Sequence, residues 1–195
     1  MKDLKNIVNF LFETGILAKT PRSGFHFMGT GHQSVAEHTL RVVYIGYALS
    51  QMVPEADQAK ILKMCLVHDL PEARTTDLNY VHQKYAEIKT EKAIEDLTAT
   101  LPFGEDLKKT LHEYEKRQSS ESKLSKDADT LEWILSLKEQ MDIGNLRVKD
   151  HIDIAQKRLK TNSAKSLGRA IMETDSNDWW FFEKTDSWWV TRNKE

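Results

Sequence analysis

Along the stretch 61–67, the side chains Ile61, Leu62, Met64, Cys65, Leu66 and Val67 cover nearly every direction that an α-helix presents. A helix of this kind has to be surrounded by others, which makes it central and buried. It runs directly into two polar residues, within Leu66-Val67-His68-Asp69-Leu70-Pro71-Glu72. A buried imidazole and a buried carboxylate desolvate at a cost unless something binds them, and a divalent cation would do so.

The remainder of the chain reads as helical too. Only 4 Pro and 8 Gly punctuate it, and alternating runs of the strand type are nearly absent, so the expected class is all α. A first helix is expected over 4–17, with Leu4, Ile7, Val8, Leu11 and Phe12 on one stripe, followed by an irregular segment over 21–31. Ser34 and Glu37 have capping-box spacing, in which each side chain satisfies a backbone donor of the other residue. The helix they start carries His38 in its first turn or two and continues through Val42, Ile45 and Leu49 to about Met52. Pro54 breaks it and can begin the central helix, expected over 55–70. Further helices are expected over 90–100, 105–118, 120–141 and 150–159.

At 195 residues one domain is the default, and a chain of this size buries a core without staples. The single cysteine, Cys65, reads as a small buried thiol, and no disulfide within the chain is possible. With 39% apolar residues and no apolar run of about 18 residues, a membrane span is not expected, and a cytoplasmic protein is. A net charge of −2 argues against a nucleic-acid polymer as partner, because such proteins carry basic surfaces that replace counterions.

Ligands that could join His68 and Asp69 are His38, in Ser34-Val35-Ala36-Glu37-His38, and an acid in Lys126-Asp127-Ala128-Asp129-Thr130-Leu131. On a helical wheel over 120–141 the apolar side chains centre nearer to Asp127 than to Asp129. On helical geometry Glu72 lies one turn from His68 and Asp69.

The order His38, His68-Asp69, Asp129 resembles the HD metal-dependent phosphohydrolase superfamily. Ser34-Val35-Ala36-Glu37-His38, Pro71-Glu72-Ala73-Arg74, Asp77 and Thr20-Pro21-Arg22-Ser23-Gly24-Phe25 are similar to the branch that contains the 5'-deoxynucleotidases. The likeness runs from about Leu4 to about Met141. It implies an HD-domain helical bundle whose buried central helix ends at the metal site. Residues 1–195 then form one HD domain, with a core at about 30–140 and a helical, aromatic-rich extension at about 145–195. It also implies His38, His68, Asp69 and Asp129 as metal ligands, with Asp129 favoured over Asp127 because the run matches the family's terminal Ala-Asp-x-Leu element.

Glu72 and Asp77 take catalytic roles by the same resemblance, and Arg22 and Phe25 take substrate-binding ones. Two histidines and two carboxylates suit Mn, Co, Fe, Ni, Zn or Mg. The expected activity is phosphate release from a nucleoside 5'-monophosphate, a deoxyribonucleotide by preference, through metal-activated water. The alternatives are a phosphodiesterase or guanosine-alarmone pyrophosphohydrolase of the same superfamily, or a non-catalytic helical scaffold with a structural metal, which needs neither Glu72 nor Asp77. A homo-oligomer is expected, a dimer by preference.

Three departures from the family pattern stand out: Phe25 where an indole is common, Thr76 before Asp77 where Gly is frequent, and Gly31-His32-Gln33 in place of a more usual Asn-Pro-Glu. The aromatic runs Trp179-Trp180-Phe181-Phe182 and Trp188-Trp189 read as packing surface, onto the domain or across a subunit contact.

Overall fold

Ser34 starts the helix that organises the molecule. In a computed structural model that describes residues 2–192, its hydroxyl accepts from the Glu37 amide, and the Glu37 carboxylate accepts from the Ser34 amide. Met1 and residues 193–195, which the one-domain reading includes, lie outside the described residues. From this cap helix α2 runs over Val35–Met52, after a first helix, α1, over Lys2–Thr14. Helix α3 spans Gln58–Val67, with Asp57 rather than Pro54 closing its start by accepting from the Lys60 amide. A short α4 follows over Glu72–Thr75, then α5 over Thr90–Thr98, α6 over Gly104–Lys116 and the long α7 over Ser120–Asp142. Helices α8 and α9 cover Lys149–Arg158 and Asn162–Glu173, and two single-turn helices, α10 and α11, lie at Asp178–Phe181 and Trp188–Thr191. Among the described residues there is no β-strand, only one isolated bridge between Pro21 and Ser34. Nor is any helix long and apolar enough to cross a membrane.

Two apolar clusters hold the bundle. The larger combines Val42, Ile45 and Leu49 of α2, Ile61 and Cys65 of α3, and Leu124, Leu131, Ile134 and Leu137 of α7 with side chains from α8 and α9. The smaller joins Val35 of α2 and Val67 at the end of α3 to Leu17, Ile94, Leu97, Leu107 and Leu111. Each such side chain contributes about 1.5–3 kcal/mol when fully buried. Helices α2 and α3 therefore pass from one cluster to the other, and His38 and His68 fall at the crossing. Gly46 allows the close approach, because a Cβ there would stand 2.6 Å from the Cys65 Sγ.

The structure differs from the sequence reading at several places, each with a local cause. Helix α1 stops at Thr14 and a 3₁₀ turn, Gly15–Ala18, takes over. Its inner side carries Ile7 and Phe10, while Leu4, Val8, Leu11 and Phe12 are exposed. The central helix ends at Val67 instead of near Leu70, because Pro71 has no N–H for the next helical bond. The chain tightens into i→i−3 turns, with the Leu70 amide on the Val67 carbonyl and the Glu72 amide on the Asp69 carbonyl. Leu66 is 59% exposed, so α3 is not enclosed on every side.

Helix α9 has no counterpart in the expected set. It is fastened by Asp127, whose carboxylate accepts from the Lys160 amide at 2.9 Å and from the Thr161 amide and hydroxyl at 2.7 Å. The aromatic rings of the last segment cluster on one another, with Trp189 5.1 Å from both Phe181 and Trp188. They leave Trp179 and Phe182 largely exposed.

Candidate metal centre

His38 lies one turn into α2 with no exposed side-chain surface, and His68 is the residue immediately after α3. The His68 Nδ1 is 2.9 Å from the Cys65 carbonyl oxygen. A carbonyl can only accept, so Nδ1 carries the proton and Nε2 presents its lone pair. The His38 Nε2 stands 3.4 Å from Asp69 Oδ2 and 3.1 Å from Asp129 Oδ1, and the His68 Nε2 stands 3.2 Å from the same Asp69 oxygen. The ligand atoms of His38, His68 and Asp69 all lie within 4.8 Å of one another, and Asp129 joins this group through His38. Its other oxygen accepts from Lys126 Nζ at 2.5 Å and Tyr114 Oη at 3.2 Å.

Three of these atoms, His38 Nε2, His68 Nε2 and Asp69 Oδ2, are buried with no hydrogen bond. Buried polar atoms are nearly always satisfied, so three orphans aimed at one point mark a place built for something else. Two imidazole lone pairs and carboxylate oxygens are the donor set of a divalent cation, and His38, His68, Asp69 and Asp129 could hold one.

Around this point lie further charges. Arg22 Nη1 is 3.6 Å from both Asp69 Oδ2 and Asp77 Oδ2, and the Asp77 carboxylate accepts from the Ser23 amide at 2.9 Å. Burial alone would raise the Asp69 carboxyl, but His68, His38 and Arg22 hold it well below the usual carboxylate range. Burial, with Asp69 and Asp77 nearby, pushes Glu72 the other way, up to about 9. Its Oε2 is a fourth buried atom without a partner. Two acids three residues apart thus differ in charge state by environment, the arrangement that separates a ligand from a proton carrier. A cleft of about 150 Å³ opens here, lined by His68, Asp69, Glu72 and Asp77 together with apolar Ile88 and Leu111.

Thr76 sets the direction of Asp77. It has φ 60° and ψ 165°, a region that only glycine occupies without strain, and it is β-branched. Thr76→Gly is expected to stabilise the protein by about 1 kcal/mol, the relieved strain less the entropy glycine adds to the unfolded chain. Melting should rise by about 2–4 °C. An unchanged or lower melting temperature would show that Thr76 is not strained.

The other sequence candidates are placed as follows. Phe25 is 9% exposed and belongs to the larger core cluster, edge-on to Trp133 at 5.2 Å. Asp127 is as buried as the wheel requires, but it holds the start of α9. His26 and His82 are exposed, with rings 6.4 Å apart on the segments that follow Arg22 and Asp77.

Two residues at the centre were not foreseen, Tyr114, whose hydroxyl meets Asp129, and Glu132. Glu132, fully buried on α7, has Oε2 2.6 Å from His38 Nδ1, while Oε1 accepts from Gln33, Arg41 and Ser136. Its carboxyl is down to about 2, because His38, Arg41 and Gln33 outweigh the effect of burial. For His38, burial and Arg22 act downward, yet Asp129 and Glu132 carry the imidazole up to about 9. The available signal was a lone acid one turn after Asp129 in the otherwise apolar run Leu131-Glu132-Trp133-Ile134-Leu135.

A family model described as the HD domain matches residues 14–170. The chain is 33% identical over 147 residues to 5'-deoxynucleotidase HDDC2 of Dictyostelium discoideum, covering 68% of this chain and 76% of that protein. It is 26% identical over 148 residues to 5'-deoxynucleotidase HDDC2 of Danio rerio, covering 72% of each. Among solved structures, a conserved hypothetical protein from Pyrococcus furiosus is similar with a TM-score of 0.74 and 26% identity, over 86% of this chain and 99% of that one.

Proposed function

The chain belongs to the HD domain family, and from that premise we propose that it is a metal-dependent phosphohydrolase that releases phosphate from deoxynucleoside 5'-monophosphates. One observation carries this reading: three buried ligand atoms, on His38, His68 and Asp69, converge without hydrogen bonds beside an arginine and an acid that holds its proton. The similarity to proteins named 5'-deoxynucleotidase supports the substrate class.

His38, His68, Asp69 and Asp129 are the proposed ligands of a divalent cation, with Mn, Co, Fe, Ni, Zn or Mg all compatible with the donor set. Such a cation, when bound, neutralises phosphate charge and lowers the pKa of water. Arg22 meets the phosphate: its guanidinium already faces two carboxylates and can turn two N–H groups toward phosphate oxygens. Glu72 is the proton carrier: protonated, it can give a proton to the departing 5'-oxygen, and ionised, it can take one from the attacking water. Asp77, fixed by the Ser23 amide, is left with acceptor capacity toward a substrate hydroxyl. Phe25 supports the Arg22 segment from the core, which is how it serves substrate binding. The same reading takes the protein as a cytoplasmic homodimer. The outward Leu4, Val8, Leu11 and Phe12 of α1 support a second copy.

The test is phosphate release from a panel of nucleoside mono-, di- and cyclic phosphates, before chelation, after it, and after re-addition of Mn, Co, Mg or Zn. Deoxynucleoside monophosphates should be turned over, with loss on chelation and recovery with metal. Turnover of cyclic or pyrophosphate substrates alone would move the activity to another branch of the superfamily. No turnover of any deoxynucleotide with any metal would end the proposal.

A further inference from the structure

The two oxygens of the buried Glu132 carboxylate have unequal company. Oε1 accepts from Gln33 Nε2 at 2.7 Å, from Arg41 Nε and Nη2 at 3.0 and 2.8 Å, and from Ser136 Oγ at 2.9 Å. Oε2 has one neighbour of this kind, His38 Nδ1 at 2.6 Å. Four donors on one oxygen keep the group an anion and fix its rotamer. The second oxygen is then an obligate acceptor, so His38 must keep a proton on Nδ1, and Nε2, which faces Asp69 and Asp129, is the nitrogen it can free for a cation.

From this juxtaposition we infer that Glu132 is a positioning residue: it sets the tautomer and ring orientation of His38 so that Nε2 is available as a metal ligand. The role rests on the proposed function only in taking His38 as a ligand. His68 reaches the same tautomer through a backbone carbonyl, which no side-chain substitution removes. His38 depends on a side chain instead. Gln33 stands where the family pattern more often has Glu, and its amide donates to Glu132 where a carboxylate would repel it.

Glu132→Gln discriminates this role from simple neutralisation of Arg41. The donors around Oε1 require an oxygen there, so the new amide nitrogen would face His38 Nδ1 and donate to it. The imidazole proton would then move to Nε2, on the atom that has to bind metal. Carboxylates behind metal-bound histidines are typically worth 10–100-fold in metal affinity. The measurement is the dissociation constant for Mn and for Zn in wild type and Glu132→Gln, with folding of both followed by melting under chelation. The expected result is an affinity at least about 10-fold weaker in the variant, and unchanged affinity in a folded variant overturns the inference.

Should the variant not fold, the wild-type protein decides. Loaded with diamagnetic zinc, it should show His38 protonated at Nδ1 and ligated at Nε2 in long-range ¹H–¹⁵N spectra. A zinc-bound Nδ1, or a proton on Nε2, overturns the inference. Failure of wild type to bind either cation is a different result, which removes His38 as a ligand and this role with it.

Discussion

Asp129→Ala is expected to lose bound metal and turnover together, while Asp127→Ala keeps both and loses stability. The two acids are two positions apart on α7, Asp127 buried and Asp129 half-buried, so the contrast isolates what each carboxylate faces. Asp129 Oδ1 stands 3.1 Å from His38 Nε2, and Lys126, His38 and His68 outweigh burial to keep the carboxyl well below its usual range. An anion held that firmly beside two imidazoles is what the proposed ligand role requires. Groups that merely orient a ligand are worth 10–100-fold, so loss of the ligand itself should weaken affinity by at least about 100-fold. Activity should fall by about 10³-fold, the several kcal/mol that a catalytic cation supplies.

Asp127 instead accepts three hydrogen bonds from Lys160 and Thr161 at the start of α9. Its removal leaves buried donors unpaired and should cost roughly 2–3 kcal/mol, or about 5–10 °C in melting for a chain of this size. Metal content per folded molecule, measured by elemental analysis, checks the pair. If Asp127→Ala loses metal and Asp129→Ala keeps it, the ligand is Asp127.

That contrast also shows how far local pattern reaches. The wheel placed Asp127 on the buried side correctly, but its partners come from a loop far along the chain, attached to a helix the apolar pattern did not announce. Burial was legible there and purpose was not. Helix α2 was legible in full because its start is encoded locally by Ser34 and Glu37 and its inner face by Val42, Ile45 and Leu49. Helix α3 was read too long because Pro71 acts on the hydrogen-bond ladder rather than on apolar periodicity. Even so, Glu72 stays beside Asp69, since successive tight turns replace the missing helical one. In α1 the apolar stripe was visible, but its direction depends on what packs beneath it, and Phe10 against Phe103 turned it outward. Glu132 escaped for a related reason: an acid in a helix is ordinarily solvated, and only the fold brings Gln33, Arg41 and His38 around this one. The positions named from sequence at the centre could be found because their spacing carries a resemblance. The charges that surround them had to be found in three dimensions.

Glu72→Gln should separate activity from stability in opposite directions. Glu72 Oε2 is buried without a partner, and burial together with Asp69 and Asp77 raises the carboxyl from an ordinary 4.5 to about 9. Between these two values the unfolded chain releases its proton while the folded one keeps it. The folded state binds more protons in that window, so stability falls as pH rises from about 4.5 towards 9. Glutamine cannot ionise, and it removes this loss. In chelated protein the variant should match wild type near pH 4 and exceed it progressively above pH 5, by about 3 kcal/mol at neutral pH, or roughly 6–12 °C in melting. Turnover of the metal-loaded variant should fall by about 10²–10⁴-fold, the usual contribution of a positioned acid or base, with metal content unchanged. A residue that merely filled space at the end of α3 would give neither the pH-dependent gain nor the loss of turnover. Wild-type turnover in a folded, metal-loaded Glu72→Gln would exclude it as the proton carrier, and a stability difference independent of pH would show that its carboxyl is not raised.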